Sequence, residues 1–225
     1  QMCIRDSISR DSMVDVTMYS AGGAYAGTEK QQICLSYSYG DGKESSCENT
    51  VNSVQRLFYN IPINTYFSLD LDGISALNDS VGGVDVVSPE TIGEFVEGES
   101  YHLVGQQAES FVRTRDTSKT DSNNMRMQRQ KVYIQSFMNT VLQQTKKDLT
   151  TPIDLFNASA PYSCTNLNPS KVSYLAQQAV LGGMNGIDMV SVPGQVAMGS
   201  KYAEFNVSEA EFYQLFLSIY YTKIE

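Results

Sequence analysis

FVRTRDTSKTDSNNMRMQRQK, residues 111–131, is the stretch on which the reading of this chain turns. Six of the sixteen Lys and Arg residues fall between Arg113 and Lys131, although the formal net charge is −9. A solvated acidic protein has no general need for such a focus. Guanidinium groups are planar forks that match phosphate oxygens, so a cluster of them points to an anion. A helix starting near Ser122, Asn123 or Asn124, each able to cap it, puts Arg126, Arg129, Gln130 and Tyr133 on one face. Met127, Ile134, Phe137, Met138 and Val141 form an adjoining apolar face suited to anchoring that helix on a core. The free N–H groups and positive dipole end at its start favour the same anion. Residues 111–114 read as an extended lead-in, which would point Arg113 and Arg115 the same way. The competing reading is a solubilising basic patch.

The rest of the composition sets bounds. With 225 residues, 41% of them hydrophobic, the chain is long enough for one substantial core. The longest apolar-rich run, residues 212–221, carries polar residues and is too short to span a membrane. A net charge of −9 argues against a general nucleic-acid binder, which needs a broad basic footprint. It leaves room for a small phosphorylated ligand in a local basic cleft. The cysteines, at positions 3, 34, 47 and 164, include no Cys-x-x-Cys pair, and His102 has no ligand-like neighbours. Structural zinc is therefore not expected. Cys34 and Cys47 either close a short loop in an exported protein or remain thiols. His102 reads as a packing or surface residue rather than a general base. The opening QMCIRDS, residues 1–7, reads as translated adapter sequence instead of native protein. The strand-like run that follows at residues 12–19 suggests a chain whose beginning lies upstream.

Residues 15–18 alternate as a strand, and Gly22, Gly23 and Gly27 mark turns. Residues 33–39 suit helix or strand. Val51, Val54 and Phe58 have helical spacing in a helix over residues 48–59. Tyr66, Phe67 and Leu69 suggest a strand, residues 73–80 a short helix capped by Asp72, and residues 84–87 a strand ended by Pro89. Residues 101–108 lead into another short helix, and the long helix runs from about residue 124 to 144. Pro152 and Pro161 punctuate residues 150–166. Helices at 171–181 and 208–220 bracket a strand-like stretch at 190–196. Helices and strands alternating in this way predict a layered α/β domain over a bundle or barrel.

Several ordered motifs resemble the LytR-CpsA-Psr family of bacterial cell-wall glycopolymer ligases. They are SISRDSMVDV (7–16), YSYGDGKESSCENTVNSVQRLF (37–58), IPINTYFSLDLDGISALNDSVGGVDV (61–86), YHLVGQQAESFVRTR (101–115) and RMQRQK (126–131). The catalytic-domain resemblance covers residues 8–144. CTNLNPSKVSYLAQQA (164–179) and VSVPGQVAMGS (190–200) look like the distal segment of many members, so residues 145–225 would complete or flank the same domain. The resemblance implies a mixed central sheet packed between helices, with an apolar tunnel for a polyprenyl tail opening beside an arginine-lined pyrophosphate site. It implies an enzyme at the outer face of the cell membrane, held by an N-terminal helix absent from this sequence. Its activity would be phosphotransfer of a teichoic acid or capsular polysaccharide from an undecaprenyl-pyrophosphate carrier to N-acetylmuramic acid of peptidoglycan.

On that resemblance Arg10 reaches the pyrophosphate, with Asp11 as its ion-pair partner. Arg113, Arg115, Arg126, Arg129 and Gln130 complete the anion site, and Arg10, Arg115 and Arg129 are the catalytic candidates. Asn123 stands where the family usually carries an acid, with Asp121 as a substitute from a shifted loop. Magnesium (or manganese) is the implied cofactor, with ligands upstream of this sequence. Val54, Phe58, Leu77, Ile134 and Phe137 are candidates to line the lipid site, against ordinary core packing. Two further readings share the anion site: a polyprenyl-pyrophosphate pyrophosphatase using water as acceptor, and a noncatalytic wall or polyphosphate-binding module. No Gly-rich phosphate loop precedes a helix, which speaks against a nucleotidyl enzyme.

Overall fold

Each strand and helix can be traced to local sequence. The computed structural model describes residues 5–116, 118, 122–184, 189–199 and 202–221. Strands β1 (Arg5–Ser7), β2 (Met13–Tyr19) and β3 (Tyr25–Gln32) precede helices α1 (Leu35–Ser38) and α2 (Glu44–Leu57). Then come β4 (Phe67–Leu69), α3 (Asp72–Ser80), β5 (Val84–Val87), β6 (Ser100–Leu103), α4 (Gln106–Arg113) and the 26-residue α5 (Ser122–Lys147). The chain continues through α6 (Thr151–Ser159), β7 (Ser163–Thr165), α7 (Pro169–Leu181), β8 (Met189–Ser191), β9 (Gly194–Met198), β10 (Ala203–Val207) and α8 (Glu209–Tyr220). The class is mixed α/β. Among the described residues, the strands pair two by two as small sheets interspersed among helices.

Two compact units share the chain. One comprises chiefly Phe67–Ser163 and Leu167–Met189; the other comprises Asp6–Tyr66, Cys164–Asn166 and the segment from Val190 onward. The boundary expected between residues 144 and 145 falls inside α5.

The second unit begins with an antiparallel β2–β3 pair running from Met13↔Gln32 to Tyr19↔Tyr25. Val14 and Val16 alternate inward and pack with Ile33. The partner strand, YAGTEKQQ, is polar and mostly exposed, so no apolar alternation announces it, and its Gly27 reads as part of a turn. A further cluster joins Phe58, Val192, Phe212 and Phe216. Val54 and Phe58 thus pack in this unit's core. The α2 C-terminus ends in a left-handed turn at Tyr59 and Asn60 (φ 53° and 63°), and the Asn60 N–H donates to the Gln55 carbonyl at 2.7 Å. That conformation favours glycine; the Tyr59 ring offsets its cost by stacking on Phe212, centroids 5.8 Å apart. No disulfide joins Cys34 and Cys47. Cys47 is buried within α2, and the Cys34 Sγ accepts instead from Arg10 Nη2 at 3.7 Å.

In the first unit, Val84 and Val86 of β5 face inward and pair antiparallel with Leu103 and Tyr101 of β6. Phe95, Ala108, Phe111, Val112 and Tyr133 complete that core. Asn78, fully buried, ties three elements: its Nδ2 donates to the Leu103 carbonyl (2.8 Å) and its Oδ1 accepts from the Tyr133 hydroxyl (3.2 Å). Asp72 lies within α3 rather than capping it. Helix α6 occupies the proline-punctuated stretch, since Pro152 sits in the first turn where no N–H is needed.

On the outer face of the hairpin, His102 Nδ1 lies 2.7 Å from Asp85 Oδ1, its cross-strand partner. His102 is a surface residue, and the hydrogen bond to Asp85 raises its pKa above the ordinary 6.5. The stability this pair contributes is fully present below pH 6.5 and is lost as pH rises through the higher folded value. An NMR titration should show the His102 pKa falling in Asp85→Asn; an unchanged value would remove the pair from the account.

Candidate anion-binding site

The sequence expectation that residues 111–114 are extended is overturned. Ala108, Phe111 and Val112 recur at helical spacing and are buried together, so α4 continues through Arg113. It starts at Gly105, whose φ of 52° and ψ of −131° suit only glycine. The Gly105 N–H donates to Asp79 Oδ1 at 2.7 Å. Thr114 then turns extended (φ −53°, ψ 136°), and the exposed Arg115 follows.

A helix leaves its last carbonyls without partners. Those of α4 are satisfied largely by α5. Ser110 accepts from the Thr114 N–H (3.0 Å) and hydroxyl (2.8 Å), and Val112 accepts from Gln130 Nε2 (3.2 Å). The carbonyls of Phe111 and Thr114 accept from Arg129 Nη1 and Nη2. Arg129 Nε donates to Glu90 Oε1 at 2.7 Å.

Arg129 is therefore not placed as expected. It is fully buried, and a carboxylate and two carbonyls hold its three nitrogens. The helix face that looked polar turns inward at Arg129 and Tyr133, both buried; of the expected apolar face, Phe137 and Val141 pack on the same core, while Ile134 is 41% exposed. Charge pairing with Glu90 is what lets a guanidinium occupy a core position. Burial pushes the Tyr133 hydroxyl pKa well above its ordinary value of 10, and the Asp79 charge adds to the shift. Sequence reasoning missed Glu90 because no fixed spacing links a buried arginine to a carboxylate 39 residues away.

The remaining cations of this unit stay near the surface. Arg113 Nη1 makes an exposed i,i+4 pair with Glu109 (2.7 Å), of a kind worth little and readily exchanged. Gln106, Glu109, Ser110, Arg113 and Thr114 line a polar cavity of about 480 Å³. Arg126, half-buried on the first turns of α5, donates from Nη2 to Asn123 Oδ1 at 2.8 Å. Lys119 and Asp121 lie outside the described residues.

Gln130 also lines a second, apolar cavity of about 300 Å³ with Leu69, Leu71, Ile74, Leu77, Val112, Tyr133, Ile134 and Phe137. Leu77, Ile134 and Phe137 are thus cavity residues. Val112 stands in this wall, and the next residue, Arg113, stands in the polar one.

Arg10 and Asp11 belong to the other unit. The Ser12 N–H donates to the Ser9 carbonyl (3.0 Å) across a tight turn whose end residues are buried, presenting Arg10 outward. Arg10 Nε lies 3.6 Å from Asp11 Oδ1, the expected ion pair, and Gln32 Nε2 donates to the same oxygen at 3.3 Å.

A sequence profile described as the LytR_cpsA_psr family matches residues 5–217. This chain belongs to that family. It is 32% identical over 124 residues to the polyisoprenyl-teichoic acid–peptidoglycan teichoic acid transferase TagV of Bacillus subtilis (strain 168), covering 50% of this chain and 28% of that protein. It is 31% identical over 140 residues to the enzyme named TagU of Enterococcus faecalis (strain ATCC 700802 / V583), covering 60% and 41%. The matches therefore span less than half the length of either relative. The crystal structure of B. subtilis TagV shares the fold, with a TM-score of 0.68 at 23% identity, covering 95% of this chain and 82% of that one.

Within this LytR-CpsA-Psr chain, Asn123 holds Arg126 through a neutral amide. Among the described residues no group of three or more His, Cys, Asp or Glu side chains is placed to hold a metal ion. No helix among them is long and apolar enough to cross a membrane.

Proposed function

We infer that the protein containing this chain transfers a teichoic-acid or capsule-type glycopolymer from a polyprenyl-pyrophosphate carrier to peptidoglycan. One observation carries this reading: successive residues at the end of α4 line an apolar cavity (Val112) and a polar, arginine-bearing one (Arg113), a pairing that suits an amphiphile with a hydrocarbon tail and a doubly phosphorylated head. The cavity would take part of a prenyl tail, whose burial is favourable in proportion to its apolar area. Gln130, on the cavity wall, would mark the change from tail to head. Arg113, Arg115 and Arg126 are the cations assigned to the pyrophosphate. The TagV and TagU relatives are named as teichoic acid transferases to peptidoglycan, which supports a teichoic acid as cargo and peptidoglycan as acceptor.

The chemistry is phosphoryl transfer. An acceptor hydroxyl of peptidoglycan attacks the phosphorus joined to the cargo sugar and loses its proton to solvent or a base. A new P–O bond forms, the bridging P–O bond breaks, and undecaprenyl phosphate departs. Guanidinium groups offset the charge on the transferring and leaving oxygens. A divalent cation such as magnesium, when bound, would add to that charge compensation. A location at the outer face of the cell membrane follows from where the lipid carrier and peptidoglycan meet.

Labelled lipid-linked glycopolymer incubated with peptidoglycan tests the reaction on full-length protein. Label should appear in a phosphodiester on the wall. Release of the glycopolymer phosphate into water would instead indicate a pyrophosphatase, and binding without turnover a noncatalytic module. Ile134→Trp, which fills the cavity from a half-exposed position, should weaken polyprenyl-pyrophosphate binding at least tenfold while leaving inorganic pyrophosphate binding unchanged. Equal effects on both ligands would detach the cavity from the lipid.

A further inference from the structure

The geometry points to Glu90 and Arg129 as positioning residues: a buried latch that sets where the Arg113–Arg115 turn lies, without either side chain touching the anion. The inference rests on the anion-site reading above and assigns to Arg129 a different part from that of its neighbours.

Glu90 sits on a braced connection between β5 and β6. The Ser88 hydroxyl donates to the Glu90 carbonyl at 2.7 Å, and the Ser88 N–H donates to Glu99 at 3.0 Å. Both Ser88 and Glu90 are buried. From that brace the carboxylate fixes Arg129 Nε, and the two terminal nitrogens reach the carbonyls of Phe111 and Thr114, on either side of Arg113. The Phe111 ring is held as well, edge-on to Phe95 with centroids 5.0 Å apart. The backbone carrying Arg113 and leading to Arg115 is therefore gripped at two carbonyls by one rigid fork. Lysine keeps the charge but has no planar fork able to serve Nε, Nη1 and Nη2 partners together.

Opposite signs separate this role from direct contact. If Arg129 touched the anion, removing the nearby negative charge with Glu90→Gln would leave pyrophosphate binding unchanged or tighten it. If the pair is a latch, the same change lets the arginine turn shift and weakens binding, because small misplacements of binding groups cost large factors.

Full-length wild type, Glu90→Gln, Arg129→Lys and Arg115→Ala would be titrated with inorganic pyrophosphate, well below each variant's melting temperature. Transfer kcat and KM and hydrogen exchange over residues 106–116 would be measured alongside. Glu90→Gln and Arg129→Lys should each weaken pyrophosphate binding about tenfold and speed exchange in that segment relative to the rest of the protein. Folded Glu90→Gln that binds pyrophosphate as well as wild type, or better, while Arg115→Ala loses binding, overturns the latch and leaves the anion site standing. Arg115→Ala binding like wild type overturns the anion-site reading itself. If Glu90→Gln does not fold, Glu90→Asp, which keeps the charge and shortens the reach, must show the same weakening, and wild-type affinity there counts against the latch.

Discussion

Arg129→Met will lower folding stability by roughly 3–5 kcal/mol, the expected cost of removing one partner of a buried ion pair. The Glu90 carboxylate would be left in a core position without its counter-charge, and the carbonyls of Phe111 and Thr114 would lose their donors. Chemical denaturation should show this as a lower midpoint with an unchanged slope. Pairing it with Glu90→Leu should recover much of the loss, because a well-packed apolar pair often replaces a buried ion pair at little cost. Recovery should stop short of wild type, since the two carbonyls still lack donors. A single variant within about 0.5 kcal/mol of wild type, the range of ordinary surface changes, would show that the pair is not structural.

Arg115→Ala should reduce glycopolymer transfer about a hundredfold, equivalent to roughly 3 kcal/mol of transition-state stabilisation from one well-placed donor. Its side chain is exposed, immediately beyond the Thr114 carbonyl that Arg129 holds, so its loss should hardly change the melting temperature. Lysine at position 115 should restore only part of the activity, because the charge returns without the two-pronged geometry. Replacing Lys119, a lysine of the same charged stretch, should do much less. Transfer assays on the three folded variants decide the matter. Equal losses from Arg115→Ala and Lys119→Ala would indicate a diffuse basic patch, and wild-type transfer from Arg115→Ala would remove Arg115 from the site.

Much of the architecture was legible where one face of an element is apolar. The alternation over residues 15–18, the spacing of Val54 and Phe58, and the long pattern after Ser122 all announced their elements. β3 was missed because YAGTEKQQ is a largely exposed strand, paired through its backbone rather than through apolar side chains. α6 was missed because prolines were read as breaks, whereas a helix tolerates proline in its first turn. In the site, the arginine cluster was visible as a charge anomaly, but the division of labour within it was not. Whether a guanidinium faces solvent or a buried carboxylate depends on a tertiary contact, and the partner of Arg129 lies on a different element. The same limit hid the part played by Asn78, a polar residue in a short helix whose importance comes only from the Leu103 and Tyr133 groups around it.

The way the two units share the chain sets the order in which they can close as it is delivered N-terminus first. Phe67–Ser163 and Leu167–Met189 form a nearly continuous stretch, so that unit can close as soon as its last helix has been made. The unit that begins at Asp6 cannot. The Phe58 cluster needs Val192, Phe212 and Phe216, and the Asp11 carbonyl receives the Phe205 N–H, so its first sixty residues must wait for groups synthesised last. During that interval Val54, Leu57 and Phe58 lack part of their apolar cover. A chain truncated before residue 205 should therefore stay open to proteolysis through its early segment, while its middle segment is already protected.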